Sequence, residues 1–111
     1  MKLRFEDHGP LCVVQLEGEL VGESSDSLRR ACRERLEGGS RDFILDVSTT
    51  SGIDSAGLEA LLELADAASE RRGRCLIAGP ETSLKTVLDI TRVSDRLEIH
   101  DEVASATRVL R

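Results

Sequence analysis

Tryptophan and tyrosine are absent from this 111-residue chain, and Phe5 and Phe43 are its only aromatic residues. A core drawn from this composition is aliphatic, and single-stranded nucleic acid finds no aromatic platform on which to stack its bases. Positive charge is also scarce: 15 Lys and Arg stand against 21 Asp and Glu, a net charge of −6 at pH 7. A phosphate backbone needs clustered cations, so both observations speak against nucleic-acid binding. No apolar run approaches the roughly 18 residues of a membrane span. The opening Met1-Lys2-Leu3-Arg4-Phe5-Glu6-Asp7-His8 lacks the apolar centre of a signal peptide. The chain is therefore expected to be cytoplasmic, without direct insertion into a membrane.

Cysteine and histidine are equally sparse. Cys12, Cys32 and Cys75 are odd in number, far apart and without a CxxC pair, so zinc-finger and thioredoxin spacings are both missing. Each lies in an apolar pattern, which predicts a buried, reduced thiol. His8 and His100 have no companion at ligand spacing. Neither a metal site nor a cofactor is expected.

What is present is a regular alternation. A short strand near Leu3–Glu6, the Gly9-Pro10 turn and Leu11–Gly18 read as an N-terminal hairpin. Ser24–Ser27 then precedes a helix that runs to about Glu37, with Leu28, Ala31, Cys32 and Leu36 at helical spacing and Gly38-Gly39 as its stop. Phe43–Val47 is a buried strand. A Ser/Thr/Gly loop follows, and Asp54-Ser55 opens a long amphipathic helix whose stripe is Leu58, Leu61, Leu62, Ala65 and Ala68. Its acidic residues Glu59, Glu63, Asp66 and Glu70 fall largely outside that stripe, on a face expected to be solvated. Arg72-Gly73 ends it.

Cys75–Ala78 is a short strand. A helix over Thr82–Ile90 turns Leu84, Val87 and Leu88 inward, with Thr82 as its cap. A strand at Leu97–Ile99 and a helix over Glu102–Leu110 complete the chain. Strands alternating with helices predict a mostly parallel sheet, which the hairpin makes mixed. With no repeat, linker or low-complexity tract, residues 1–111 read as a single α/β domain.

The segment Ile44–Leu58 holds the most chemistry. Ser55 sits where a hydroxyl caps free backbone N–H groups and where the helix dipole best tolerates added negative charge. It can serve as a cap, a nucleophile or a phosphate acceptor. A nucleophile elbow reads Gly-x-Ser-x-Gly, but Ile53 stands where the first Gly belongs. The two candidate bases, His8 and His100, sit near opposite ends of the chain; His100 falls at a strand end, but no oxyanion motif accompanies it. Gly79-Pro80-Glu81-Thr82-Ser83-Leu84-Lys85-Thr86 imitates a phosphate loop, yet Leu84 precedes the lysine and Pro80 removes a donor. Asp46 and Asp54 are a candidate acid pair, although a strand-end Asp such as Asp46 more simply caps the following loop. Cap and phosphate acceptor remain open for Ser55.

Leu45-Asp46-Val47-Ser48 followed by Asp54-Ser55-Ala56-Gly57-Leu58, with Gly18-Glu19-Leu20 upstream, resembles the STAS domain of sulfate transporters and anti-sigma factor antagonists. The resemblance covers essentially the whole chain, and the chain looks like a bacterial anti-sigma factor antagonist. It implies a non-enzymatic regulator that binds an anti-sigma factor serine kinase and so frees a sigma factor. Ser55 is then the serine that this kinase phosphorylates and a phosphatase resets. The implied partner surface comprises Glu19, Val21, Glu23, Ser24, Asp54, Ser55, Ala56, Gly57 and Glu59, with Asp46 and Gly57 in structural support. Two positions depart from the family pattern: many members have Asp where this chain has Val21, and Gly-Leu where it has Arg92-Val93. An accessory subunit of a lipid-transport ATPase and a scaffold subunit of a stress-sensing assembly are the alternatives within the same family.

Overall fold

The computed structural model describes residues 1–110. Strands β1 (Lys2–His8) and β2 (Leu11–Leu20) form the hairpin, paired antiparallel from Lys2↔Glu17 to His8↔Leu11 across Gly9-Pro10. Helix α1 (Gly22–Glu37) leads to β3 (Asp42–Asp46), which lies parallel to the first half of β2. Helix α2 (Ser55–Glu70), β5 (Cys75–Ala78), α3 (Thr82–Ile90), a 3-10 turn at Val93–Asp95, β6 (Glu98–His100) and α4 (Val103–Val109) follow. The strands run β1-β2-β3-β5-β6 across the sheet, all parallel after the hairpin. The expected mixed, mostly parallel α/β architecture is the one observed.

One strand was not expected. Thr50–Ile53, read as loop, is β4, and it pairs in parallel with the last residues of β2, Leu20 facing Ile53. β2 is long enough to hold β3 along its first half and β4 along its second, with a register irregularity between Gly18 and Glu19.

Alternation along β2 sends Cys12, Val14 and Leu16 into the main core, where they meet Phe43, Leu45, Val47, Cys75 and Ile77. Helices α1, α2 and α3 cover that face through Leu28, Cys32 and Leu36, Leu61, Leu64 and Ala68, and Leu84 and Leu88. The other face carries a smaller cluster, where Ala106 of α4 packs on Ile44, Leu76 and Ala78. The three cysteines are buried and free, as their apolar surroundings predicted.

Several local expectations shift. Helix α1 begins at Gly22, so Ser24 and Ser25 lie inside its first turns instead of before it. The fully buried line of α2 is Gly57, Ala60, Leu61, Leu64 and Ala68; Leu58, Leu62 and Ala65 are half-buried at its margin. Small side chains let the helix sit close to the sheet, and that rotates the buried line toward them. On α3 only Leu84 and Leu88 are buried, while Val87 is 36% exposed because the inward arc of this short helix is narrow. Ala31 on α1 is half-buried. Thr82 is the first residue of α3 rather than its cap; Glu81 holds the cap position without a side-chain bond.

Candidate functional site

Leu20 and Ile53 end two adjacent parallel strands, so the helices that follow, α1 and α2, start side by side. Each helix begins with backbone N–H groups that have no partner within the helix. Asp54 meets both sets. It stands at the cap position of α2 with extended backbone (φ −111°, ψ −174°), and its Oδ1 accepts from the Gly57 N–H at 2.9 Å. Its Oδ2 accepts from the N–H of Gly22, the first residue of α1, at 3.2 Å. The Asp54 N–H in turn donates to the Leu20 carbonyl at 3.3 Å.

The cap of α2 is therefore Asp54, and the expectation that Ser55 fills that role is corrected. Ser55 is the first residue within α2, it is exposed, and no hydrogen bond among the described residues engages its hydroxyl. Asp accepts N–H bonds in a cap at least as well as Ser, and here it precedes the serine by one residue.

Gly57 is buried directly behind Ser55. A Cβ there would stand 2.3 Å from the Leu20 carbonyl oxygen and 2.7 Å from Ile53 Cγ1. Only glycine lets the first turn of α2 press against the ends of β2 and β4.

On the α1 side, Val21 takes the cap position with an extended backbone but has no side-chain oxygen to offer. Ser24 compensates: its hydroxyl accepts from the Val21 N–H at 2.8 Å and donates to the carbonyl of Glu19 (2.8 Å) or of Val21 (2.6 Å). Glu19 and Glu23 are exposed on the same rim, and Glu59 is exposed one turn beyond Ser55. None of Glu19, Glu23, Asp54 and Glu59 forms an ion pair among the described residues, so this surface carries uncompensated negative charge.

Arg29 was not singled out from the sequence. Its Nε donates to Glu63 at 2.6 Å, one terminal nitrogen to Asp26 at 3.0 Å and the other to the Ala56 carbonyl at 3.4 Å. It braces α1 against the first turn of α2. Nothing in the spacing of α1 alone announces that contact, because its partners lie on another helix.

Glu19, Val21, Glu23, Ser24 and Asp54–Gly57 thus gather around two helix starts. Asp46 stands apart, with Oδ1 accepting from the Ser48 N–H (3.1 Å) and hydroxyl (2.7 Å), the loop-capping role expected of a strand-end Asp. His8 contacts Glu6 at 2.7 Å, and His100 lies 3.6 Å from Glu98, so neither imidazole is paired with Ser55. No group of His, Cys, Asp and Glu among the described residues is arranged to hold a metal ion.

The family model of the STAS domain matches residues 2–106. This chain belongs to the STAS family. The STAS fold seen here superposes on TM1081 of Thermotoga maritima with a TM-score of 0.89 at 19% identity, over 96% of this chain and 92% of that one. SpoIIAA of Bacillus, an anti-sigma factor antagonist, matches in its unphosphorylated form with a TM-score of 0.84 at 18% identity, over 97% of this chain and 96% of that one. The murine Slc26a9 anion transporter matches with a TM-score of 0.78 at 15% identity, over 94% of this chain but 18% of the transporter chain. STAS domains of this shape therefore occur both as small antagonist proteins and as parts of transporters. At these identities the likeness is one of fold.

Proposed function

We propose that this STAS domain is an anti-sigma factor antagonist, non-enzymatic in itself, whose binding to an anti-sigma serine kinase is switched at Ser55. The observation that carries this is an exposed serine with an uncommitted hydroxyl at the first position of α2, its cap role already filled by Asp54. SpoIIAA, a similar fold, is known in both unphosphorylated and phosphorylated forms.

The chemistry follows from the geometry. The γ-phosphoryl of ATP passes to Ser55 Oγ, the hydroxyl proton leaves, and ADP is released. The new group adds roughly −1.5 to −2 charges near neutral pH. At the start of a helix that charge is tolerated by the dipole and the free N–H groups, so the fold survives. The partner is less tolerant. A contact shaped for a hydroxyl now has to bury a dianion, which is costly without built counter-charges. Release follows, and a phosphatase that removes the group restores binding. Glu19, Val21, Glu23, Ser24, Ala56 and Glu59 form the remainder of the proposed contact. Their acidic rim suits a kinase face rich in Lys and Arg.

Copurification from the native host tests the assignment. An ATP-binding kinase domain recovered with the wild-type chain and lost with Ser55→Asp supports it. Recovery of a transporter ATPase, or of a very large particle on sizing, overturns it in favour of an accessory or scaffold role within the same family.

A further inference from the structure

We propose that Asp54 is a strut that carries the state of Ser55 to the start of α1, so that negative charge on Ser55 frees the first turn of α1. This rests on Ser55 as the switched residue and adds a second moving part to it.

One carboxylate serves two helices: Oδ1 holds Gly57 of α2 at 2.9 Å and Oδ2 holds Gly22 of α1 at 3.2 Å. Both helices are 16 residues long, and their positive ends converge on this single anion. The two ends are not equal. Gly22 makes the longer bond, its backbone is in the left-handed region at φ +40°, and its cap residue Val21 supplies no side-chain oxygen. Ser24 satisfies Val21, not Gly22. Asp54 is accordingly the side chain that holds the Gly22 N–H in place.

A phosphoryl group on Ser55 is covalently part of α2. It competes with Asp54 for the N–H donors of the first turn of α2 and repels the neighbouring carboxylate. Helix α2 keeps an anion at its start whichever group wins. Among the described residues no other side chain accepts from the Gly22 N–H, which is then left to water. The bond to Gly22 is the one given up, and the segment Val21–Ser24 loosens with it. Charge at Ser55 thereby alters the Glu19–Ser24 half of the partner surface without touching it.

Amide hydrogen exchange on the full chain, followed by NMR without any partner, tests this in wild type, Ser55→Glu and Asp54→Asn. Asn keeps one acceptor oxygen for the α2 cap but turns an amide donor toward Gly22, so it opens the strut without adding charge. In both variants the Gly22 amide should exchange about tenfold faster or more, with Gly57 and the buried Leu28 and Cys32 amides unchanged. Unchanged Gly22 exchange in Ser55→Glu overturns the proposal, even if Asp54→Asn accelerates it. So does acceleration spread evenly through α1 and the sheet, which reports global destabilisation. Failure of a kinase to label Ser55 overturns the partner-switch assignment instead, and leaves these exchange rates as they are.

Discussion

Replacing Gly57 with alanine probes how α2 is seated against the strands that carry the site. The added methyl would lie 2.3 Å from the Leu20 carbonyl oxygen, 2.7 Å from Ile53 Cγ1 and 3.1 Å from Leu20 Cγ. Comfortable contacts between such atoms are longer, so the first turn of α2 has to retreat on the order of 1 Å. The Leu20 carbonyl also accepts the Asp54 N–H at 3.3 Å, and the retreat stretches that bond. In an exposed helix interior, Gly→Ala gains about 1 kcal/mol. Overpacking costs about 1–3 kcal/mol, and weakening this neutral backbone bond adds about 0.5–1.5 kcal/mol more. The net expectation is a loss of about 0.5–3.5 kcal/mol, from the balance of these terms. For a domain of this size each kcal/mol lowers Tm by roughly 4 °C. Urea unfolding followed by far-UV circular dichroism should show a lower midpoint at unchanged slope. A variant as stable as wild type, or more stable, refutes the close seating of α2.

Other expectations are simpler to check. Ser55→Ala should leave stability within about 0.5 kcal/mol of wild type, because the residue is exposed and is not the cap. Asp54→Ala should cost about 0.5–2 kcal/mol, the usual range for a lost cap, in the same urea titration. Titration calorimetry with the cognate kinase should give near wild-type affinity for Ser55→Ala and at least tenfold weaker binding for Ser55→Asp, roughly 1.4 kcal/mol. Burial pushes the Cys12 and Cys32 thiols up from 9.0 to about 12, with Asp7 adding to the effect at Cys12. These thiols stay protonated in the folded chain while the unfolded chain begins to ionise near pH 9. Stability should therefore be flat in this respect below pH 9 and fall between pH 9 and 12, by up to about 1.4 kcal/mol per pH unit for each thiol. A thiol reagent at pH 8 should accordingly react slowly with the folded chain and quickly in urea.

Much of this architecture was legible because the apolar runs are clean. Phe43–Leu45 and Cys75–Ala78 are buried on both faces and read as continuous strands, β3 beginning and ending one residue earlier than the expected Phe43–Val47, and α3 spans Thr82–Ile90 as its spacing predicts. β4 was not legible. Thr50-Ser51-Gly52-Ile53 has no apolar alternation, and it is a strand only because β2 extends far enough to pair with it. The start of α1 was hidden for a related reason: Val21 is a cap residue without a capping atom, and the hydroxyl that compensates belongs to Ser24, inside the helix. At α2 the sequence offers two adjacent capping residues, Asp54 and Ser55, and local pattern does not choose between them. The choice is made by the approach of Gly22 from another strand–helix unit, which only the tertiary structure shows. That outcome favours the proposed switch: a serine needed as a cap would be less free to accept phosphate.

The proposed switch turns on Ser55, and its most direct measurement is phosphotransfer. The chain is incubated with its cognate anti-sigma kinase and ATP, digested and mapped by mass spectrometry, with Ser55→Ala alongside. A single phosphate on the peptide bearing Ser55, absent from the variant, is the predicted result. Phosphate on another residue, or none on the wild-type chain while the kinase is active on itself or another substrate, contradicts it.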